Sequence, residues 1–234
     1  MACYILVIDE GTTSTRAIIF DEKMKEVSSS QKKFNQYFPR PGWVEQDAEE
    51  IFKKVLESIK EALQKGEIDS KDILAIGITN QRETVVPFDR DSAKSLHNAI
   101  VWQCRRTTQL SEALKEQGME KVIHEKTGLF LDPYFSGTKI RWLLENVPQV
   151  NNKKTLFGTI DAFLVYKLSG GKFFKTDVTN ASRTLLFNIN NLQYDKELLH
   201  LFKVNEEMLP EVVESVDIFG TTSGIDILPD GVPI

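Results

Sequence analysis

The sequence predicts an α/β domain in which a mixed sheet is flanked by helices, and three observations carry that prediction. The chain opens with two apolar runs, Ile5-Leu6-Val7-Ile8 and Ala17-Ile18-Ile19-Phe20, separated by a Gly and hydroxyl turn, as two strands folding back on each other. A third strand pattern at Glu26–Lys33 precedes a one-sided amphipathic helix and then the buried strand pattern Ile73-Leu74-Ala75-Ile76-Gly77-Ile78-Thr79. Strand and helix patterns continue to alternate, with no low-complexity linker and no internal repeat.

The first helix opens at Asp47-Ala48-Glu49-Glu50, a capping-box-like start. It sets Ile51, Val55, Ile59 and Leu63 on one face and ends at Gly66. In the strand that follows, Gly77 is expected to mark a close backbone approach. Further helices are expected over 107–117, 137–146, 161–168 and 196–202, with Ser136 and Asp161 as N-caps of the second and third. A leading hairpin, a third strand, a helix and another strand fit a ribonuclease-H-like, actin-type ATPase domain.

With 234 residues, 41% hydrophobic and 27% charged, the chain can bury a sizeable core, and its composition is not that of a disordered segment. No stretch approaches the ~20 apolar residues of a membrane-spanning helix. Met1 leads straight into a strand, without the basic and apolar regions of a secretory leader, so cytoplasmic residence is expected. Two isolated cysteines, Cys3 and Cys104, suit reduced thiols better than a disulfide framework or a zinc site. A net charge of −5 gives no general attraction to nucleic acid, so any anion must be held locally. His97, His124 and His200 have no neighbouring acid or nucleophile pattern and are expected to be structural or solvent-facing.

Chemistry is concentrated in Asp9-Glu10-Gly11-Thr12-Thr13-Ser14-Thr15-Arg16. A turn of Gly and small hydroxyl residues exposes backbone N–H groups and lets a phosphate come close. A carboxylate at the strand end can hold a cation or its water shell. The Lys and helix of a Walker loop are absent. The plainer alternative is a hairpin turn with a capping carboxylate. Thr79-Asn80-Gln81-Arg82-Glu83-Thr84 follows a strand, where α/β sheets place ligands. Asn98-Ala99-Ile100-Val101-Trp102-Gln103-Cys104-Arg105-Arg106-Thr107 and Leu131-Asp132-Pro133-Tyr134-Phe135-Ser136-Gly137-Thr138-Lys139 are two further polar, aromatic-bearing segments.

These segments, with Pro41-Gly42-Trp43-Val44-Glu45-Gln46-Asp47, Phe157-Gly158-Thr159-Ile160-Asp161 and Thr179-Asn180-Ala181-Ser182-Arg183-Thr184, resemble the N-terminal half of the FGGY family of carbohydrate kinases. The Arg82-Glu83, Trp102-Gln103-Cys104-Arg105 and Asp132-Pro133-Tyr134 blocks resemble its glycerol kinase branch. The resemblance covers nearly the whole chain, making residues 1–234 an FGGY N-terminal domain without the C-terminal one. It implies ATP- and Mg²⁺-dependent phosphorylation of glycerol. Arg82 and Glu83 would hydrogen-bond the hydroxyls, Tyr134 would add a contact, and Trp102 would form an aromatic wall. Gly11, Thr12, Thr13 and Ser14 would meet the nucleotide phosphates, Arg16 would steady the transferring group, and Asp9 would act on Mg²⁺ through water.

The resemblance also marks departures. Glu10 stands where the branch usually has Gln, which is expected to add a negative charge beside the phosphate turn. The Gly-Asp-Gln segment whose Asp serves the family as general base does not occur, so the chain by itself is expected to be inactive, with its nucleotide site completed by a C-terminal domain. Homo-oligomerisation of the full-length protein stays open. Alternatives remain: half of another FGGY sugar kinase, or a non-catalytic actin-like binding module. Residue by residue, Arg82–Glu83 could be a solvated surface pair, Trp102 a core residue, and Tyr134 the packing of a Pro-containing turn.

Overall fold

The computed structural model describes residues 3–234. Strands β1 (Tyr4–Glu10) and β2 (Ser14–Phe20) form the antiparallel hairpin, with Asp9 opposite Arg16 and Glu10 opposite Thr15. Strand β3 (Glu26–Lys33) pairs antiparallel with β2. After the two-residue β4 (Glu45–Gln46), helix α1 (Ala48–Lys65) leads to β5 (Ile73–Asn80), which runs parallel to β1. The sheet order β3-β2-β1-β5 is the predicted mixed sheet.

Helix α1 buries Ile51, Val55, Ile59 and Leu63 against β2 and β3, as its spacing requires. Each such side chain contributes roughly 1.5–3 kcal/mol on leaving water. Asp47 Oδ1 caps the helix, accepting from the N–H groups of Glu49 (2.9 Å) and Glu50 (3.3 Å). The capping box does not close, because Glu50 turns to accept from Asn35. Gly66 ends the helix in right-handed geometry (φ −83°), and the left-handed turn falls on Glu67 (φ 52°). At Gly77 a Cβ would meet only Val7 Cγ2 at 3.8 Å, so the expected close approach is not there.

The chain continues through β6 (Val86–Asp89), β7 (Ala99–Ile100), α2 (Thr108–Glu116), α3 (Met119–Thr127) and α4 (Ser136–Asn146). Then follow β8 (Thr155–Gly158), α5 (Ile160–Leu168), β9 (Lys175–Asp177), α6 (Val178–Ala181), β10 (Phe187–Asn188), β11 (Gln193–Tyr194), α7 (Lys196–Phe202) and β12 (Glu211–Val213). The four later helices lie where expected, but two caps differ. Phe135 and Thr159 occupy the cap positions of α4 and α5 without side-chain cap bonds. The Ser136 hydroxyl donates instead to the Glu83 carbonyl (3.2 Å), and Asp161 lies inside the first turn of α5, where it accepts from Thr176 (2.6 Å).

One buried apolar cluster lies between the sheet, α1 and α5, and a second beneath α2, α3, α4 and α7. Between them the fully buried Arg106 side chain stacks 3.9 Å from the Trp43 ring and 4.7 Å from that of Trp142, and pairs with Glu45 at 2.6 Å. That pair joins β4 to the segment carrying Trp102. Cys104 is a buried free thiol, and among the described residues no helix is long and apolar enough to cross a membrane.

Candidate functional site

The hairpin turn forms as the residue order demands. Gly11 N–H donates to Ser14 C=O at 2.9 Å, and a Cβ at Gly11 would sit 3.2 Å from that carbonyl, which favours glycine there. Ser14 Oγ accepts from Gln31 (2.8 Å), Thr13 is exposed, and Asp9 and Arg16 form a cross-strand ion pair at 3.1 Å, both partly exposed. The Thr12 carbonyl accepts from the side-chain amides of Gln36 (3.1 Å) and Gln46 (2.7 Å), and Thr12 Oγ1 accepts from the indole N–H of Trp102 (3.0 Å).

Glu10, the next residue along β1, points the other way. It is fully buried, and neither carboxyl oxygen has a hydrogen-bond partner. Burial, with the Asp9 charge adding to it, holds the Glu10 carboxyl well above the ordinary carboxylate range; the nearby Gln81 amide opposes this without reaching hydrogen-bond geometry. The side chain does not add its carboxylate beside the turn as expected: it faces the interior, where burial disfavours the charged form.

A cleft of about 490 Å³ lies beside the turn, lined by Thr12, Asn80, Gln81, Arg82, Glu83, Trp102, Tyr134 and Arg183. Arg82 is exposed, without an ion-pair partner among the described residues, whereas Glu83 is buried. The two are thus not a solvated surface pair. Glu83 has a left-handed backbone (φ 64°), a conformation that costs a residue with a Cβ about 1–3 kcal/mol and is concentrated at functional sites. Its carboxylate pairs with Arg183 Nε at 2.6 Å. Trp102 and Tyr134 are half-buried with ring centroids 5.4 Å apart, and the Arg183 guanidinium lies 5.6 Å from the Tyr134 ring. Both aromatic residues face the cleft rather than disappearing into the core.

The loop carrying Tyr134 is fastened from below. Asp132 Oδ1 accepts from Tyr134 N–H (2.8 Å) and from Arg105 (2.9 Å). The fully buried Lys139 ammonium donates to the carbonyls of Tyr134 and Phe135; burial pushes its pKa down to about 7, with the Glu83 charge opposing. From the cleft lining, Asn80 donates to Asp161 (3.3 Å) and Asn180 (3.1 Å), and burial pushes the Asp161 carboxyl up to about 6. Of the histidines, His124 stacks on Phe130 (4.9 Å) and His97 Nδ1 contacts the Asn98 carbonyl (2.7 Å), neither of them lining the cleft.

Asp9, Gly11, Thr12, Thr13, Ser14 and Arg16 thus lie on the hairpin, and Arg82, Glu83, Trp102 and Tyr134 in the adjoining cleft. Arg183 was not singled out. It belongs to the quoted Thr179–Thr184 segment, residues 179–184, but its partner Glu83 is 100 residues away in the chain and no local pattern links them.

Residues 4–226 match the N-terminal domain of the FGGY family of carbohydrate kinases. The chain is 56% identical to a glycerol kinase of Lactobacillus acidophilus, over 94% of this chain and 45% of that protein. It is likewise 56% identical to a glycerol kinase of Rhizobium meliloti, over 95% of this chain and 46% of that one. Among solved structures, Plasmodium falciparum glycerol kinase with ADP superimposes with a TM-score of 0.92 at 36% identity, covering 100% of this chain and 47% of that chain. A ligand-bound xylulose kinase of Lactobacillus acidophilus superimposes with a TM-score of 0.86 at 28% identity, covering 94% of this chain and 44% of that one. The chain spans about half the length of the relatives it matches. It belongs to the FGGY family of carbohydrate kinases, whose N-terminal domain it forms.

Proposed function

We propose that this chain is the substrate-binding half of an ATP-dependent glycerol kinase, transferring the γ-phosphoryl group to a terminal hydroxyl of glycerol. The observation that carries the reading is the convergence of Arg82, Glu83, Trp102 and Tyr134, from three separated segments, on one cleft with Thr12 at its rim. A polyol needs donors for its lone pairs, an acceptor for its protons and an apolar wall for its carbons; the guanidinium, the carboxylate and the two rings supply them. Thr12, Thr13 and Ser14 would offer N–H groups and hydroxyls to the nucleotide phosphates, Gly11, whose N–H closes the turn on Ser14, would let them come close, and Arg16 would steady the moving group.

Asp9 fits a water-mediated role toward Mg²⁺. Arg16 engages one of its oxygens, and among the described residues no group of three His, Cys, Asp or Glu side chains could cage a metal. Mg²⁺ keeps several waters and takes phosphate oxygens readily, so one carboxylate next to a phosphate turn suits it; when bound it neutralises phosphate charge. In the transfer, the hydroxyl oxygen bonds to the γ-phosphorus, the bond to the bridging oxygen of ADP breaks, and the hydroxyl proton passes to a base. The resemblance implies that this base is the aspartate of the family's Gly-Asp-Gln segment, which does not occur among these 234 residues, and we assign the role to it. Arg82→Ala in the full-length protein tests the reading: glycerol-dependent ADP release falls sharply if Arg82 orients the polyol, and an unchanged kcat/KM for glycerol contradicts it.

A further inference from the structure

The two sides of the cleft are joined by a closed ring of hydrogen bonds whose polarity is fixed from end to end. The Thr12 carbonyl can only accept, so Gln46 must present its NH₂ there (2.7 Å) and its oxygen to the NH₂ of Gln81 (2.8 Å). The Gln81 oxygen then accepts from the Thr84 hydroxyl (3.0 Å), leaving the Thr84 oxygen to accept from the backbone N–H of Trp102 (3.3 Å). The Trp102 indole N–H, a donor only, closes the ring on Thr12 Oγ1 (3.0 Å). Since the Thr12 hydroxyl must accept there, its own proton stays available to a ligand oxygen. Gln46 and Thr84 are fully buried and Gln81 nearly so, which makes each bond costly to break without replacement. Gln46 and Thr84 do not line the cleft.

Resting on the kinase reading above, we propose that Gln46, Gln81 and Thr84 are positioning residues that couple the alcohol-binding wall to the phosphate-binding turn. A polyol packed on Trp102 fixes the indole, the indole fixes the Thr12 hydroxyl, and the buried amides fix the Thr12 carbonyl. A ligand on one side thereby lowers the ordering cost of the other. Coupling of this kind is reciprocal: glycerol tightens nucleotide binding by the factor with which nucleotide tightens glycerol binding.

The test is calorimetric titration of the full-length protein with ADP, without and with saturating glycerol. In the wild type glycerol is expected to tighten ADP on the order of fivefold. Thr84→Val, which keeps shape and loses the hydroxyl, and Gln46→Met each bring that factor close to one; Thr84→Ser restores it. A residue serving only to hold the fold would shift Tm without removing the coupling. No coupling in the wild type, or undiminished coupling in Thr84→Val and Gln46→Met, overturns the inference alone, whereas a wild type that binds no glycerol overturns the kinase reading beneath it. If neither variant folds, wild-type NMR decides: glycerol without nucleotide must move the Trp102 indole and Thr12 amide signals together, and movement of the indole signal alone contradicts the ring.

Discussion

The hairpin side of the cleft draws its candidate residues from one uninterrupted run, Asp9 to Arg16, while the alcohol side gathers Arg82, Glu83, Trp102, Tyr134 and Arg183 from four distant segments. On the hairpin, strand register places Asp9 opposite Arg16, and both side chains remain partly in water. On the alcohol side, placement depends on tertiary structure: a left-handed Glu83, a buried carboxylate with one cationic partner, and a loop fastened by a buried lysine. A local motif built from exposed groups tolerates loss of a contact, whereas a wall resting on the buried Glu83 carboxylate and the buried Lys139 does not. The contrast orders the expected effects of substitution.

The largest belongs to the alcohol wall. Arg82→Ala is expected to remove about 2–4 kcal/mol of transition-state stabilisation, roughly a 30- to 1,000-fold fall in kcat/KM for glycerol. Its stability should stay close to the wild type, because Arg82 is exposed and lacks an ion-pair partner among the described residues. Steady-state kinetics beside a urea titration check both halves of that statement.

Arg183→Met comes next. It strands the Glu83 carboxylate, whose side chain is only 4% exposed, while Arg183 itself is 34% exposed. Breaking a fully buried pair costs more, and with one partner reaching solvent about 2–3 kcal/mol is expected in urea unfolding. Adding Glu83→Gln should recover most of the loss. If Arg183→Met alone unfolds within measurement error of the wild type, the pair is not the support described here.

Glu10→Gln tests the interior face of the hairpin. The folded-state pKa of Glu10 is raised by burial, so this group favours folding below its unfolded pKa, and that contribution is lost as pH rises from there through the raised folded value. The amide carries no such term. Thermal unfolding should find Glu10→Gln more stable than the wild type at pH 8, with the difference narrowing toward pH 4; a difference independent of pH would contradict the buried-acid account.

A small stability effect is expected of the exposed pair. Asp9→Asn should change unfolding free energy by no more than about 1 kcal/mol, as for other solvent-exposed ion pairs. In activity it should raise the Mg²⁺ concentration needed for half-maximal rate. Equal magnesium dependence in variant and wild type would remove Asp9 from the proposed metal role.

How legible each region is in the sequence follows the same division. The hairpin, α1 and β5 were readable because continuous apolar runs, a one-sided apolar stripe and an Asp cap are local signals. Helix α3 escaped notice because it is nine residues long, lies between left-handed Gly118 and Gly128, and buries only Ile123 and Thr127, too little for a visible period. Strand β6 was hidden by Pro87, and its partner β8 by lying far along the chain. In the site, residue types pointed to the hairpin, and family resemblance to Arg82, Glu83, Trp102 and Tyr134. The Arg183–Glu83 pair arises only when the 179–184 segment meets the chain just after β5, and the ring through Gln46 and Thr84 only when Trp102 of the 98–107 segment packs against the hairpin. Glu10 shows the limit of reading neighbours as neighbours: adjacent to Asp9 in a strand, it faces the opposite way.

The central claim is that these residues form one half of a glycerol kinase site whose proton acceptor lies in the other half. A coupled assay of glycerol-dependent ADP release, run on the 234-residue chain and on the full-length protein at saturating MgATP, tests it most directly. The account predicts turnover by the full-length protein and at least about a thousandfold less by the chain alone, since an in-line nucleophile, its base and the γ-phosphate must be held together. Turnover by the isolated chain within tenfold of the full-length rate, or a full-length protein that ignores glycerol, would contradict it.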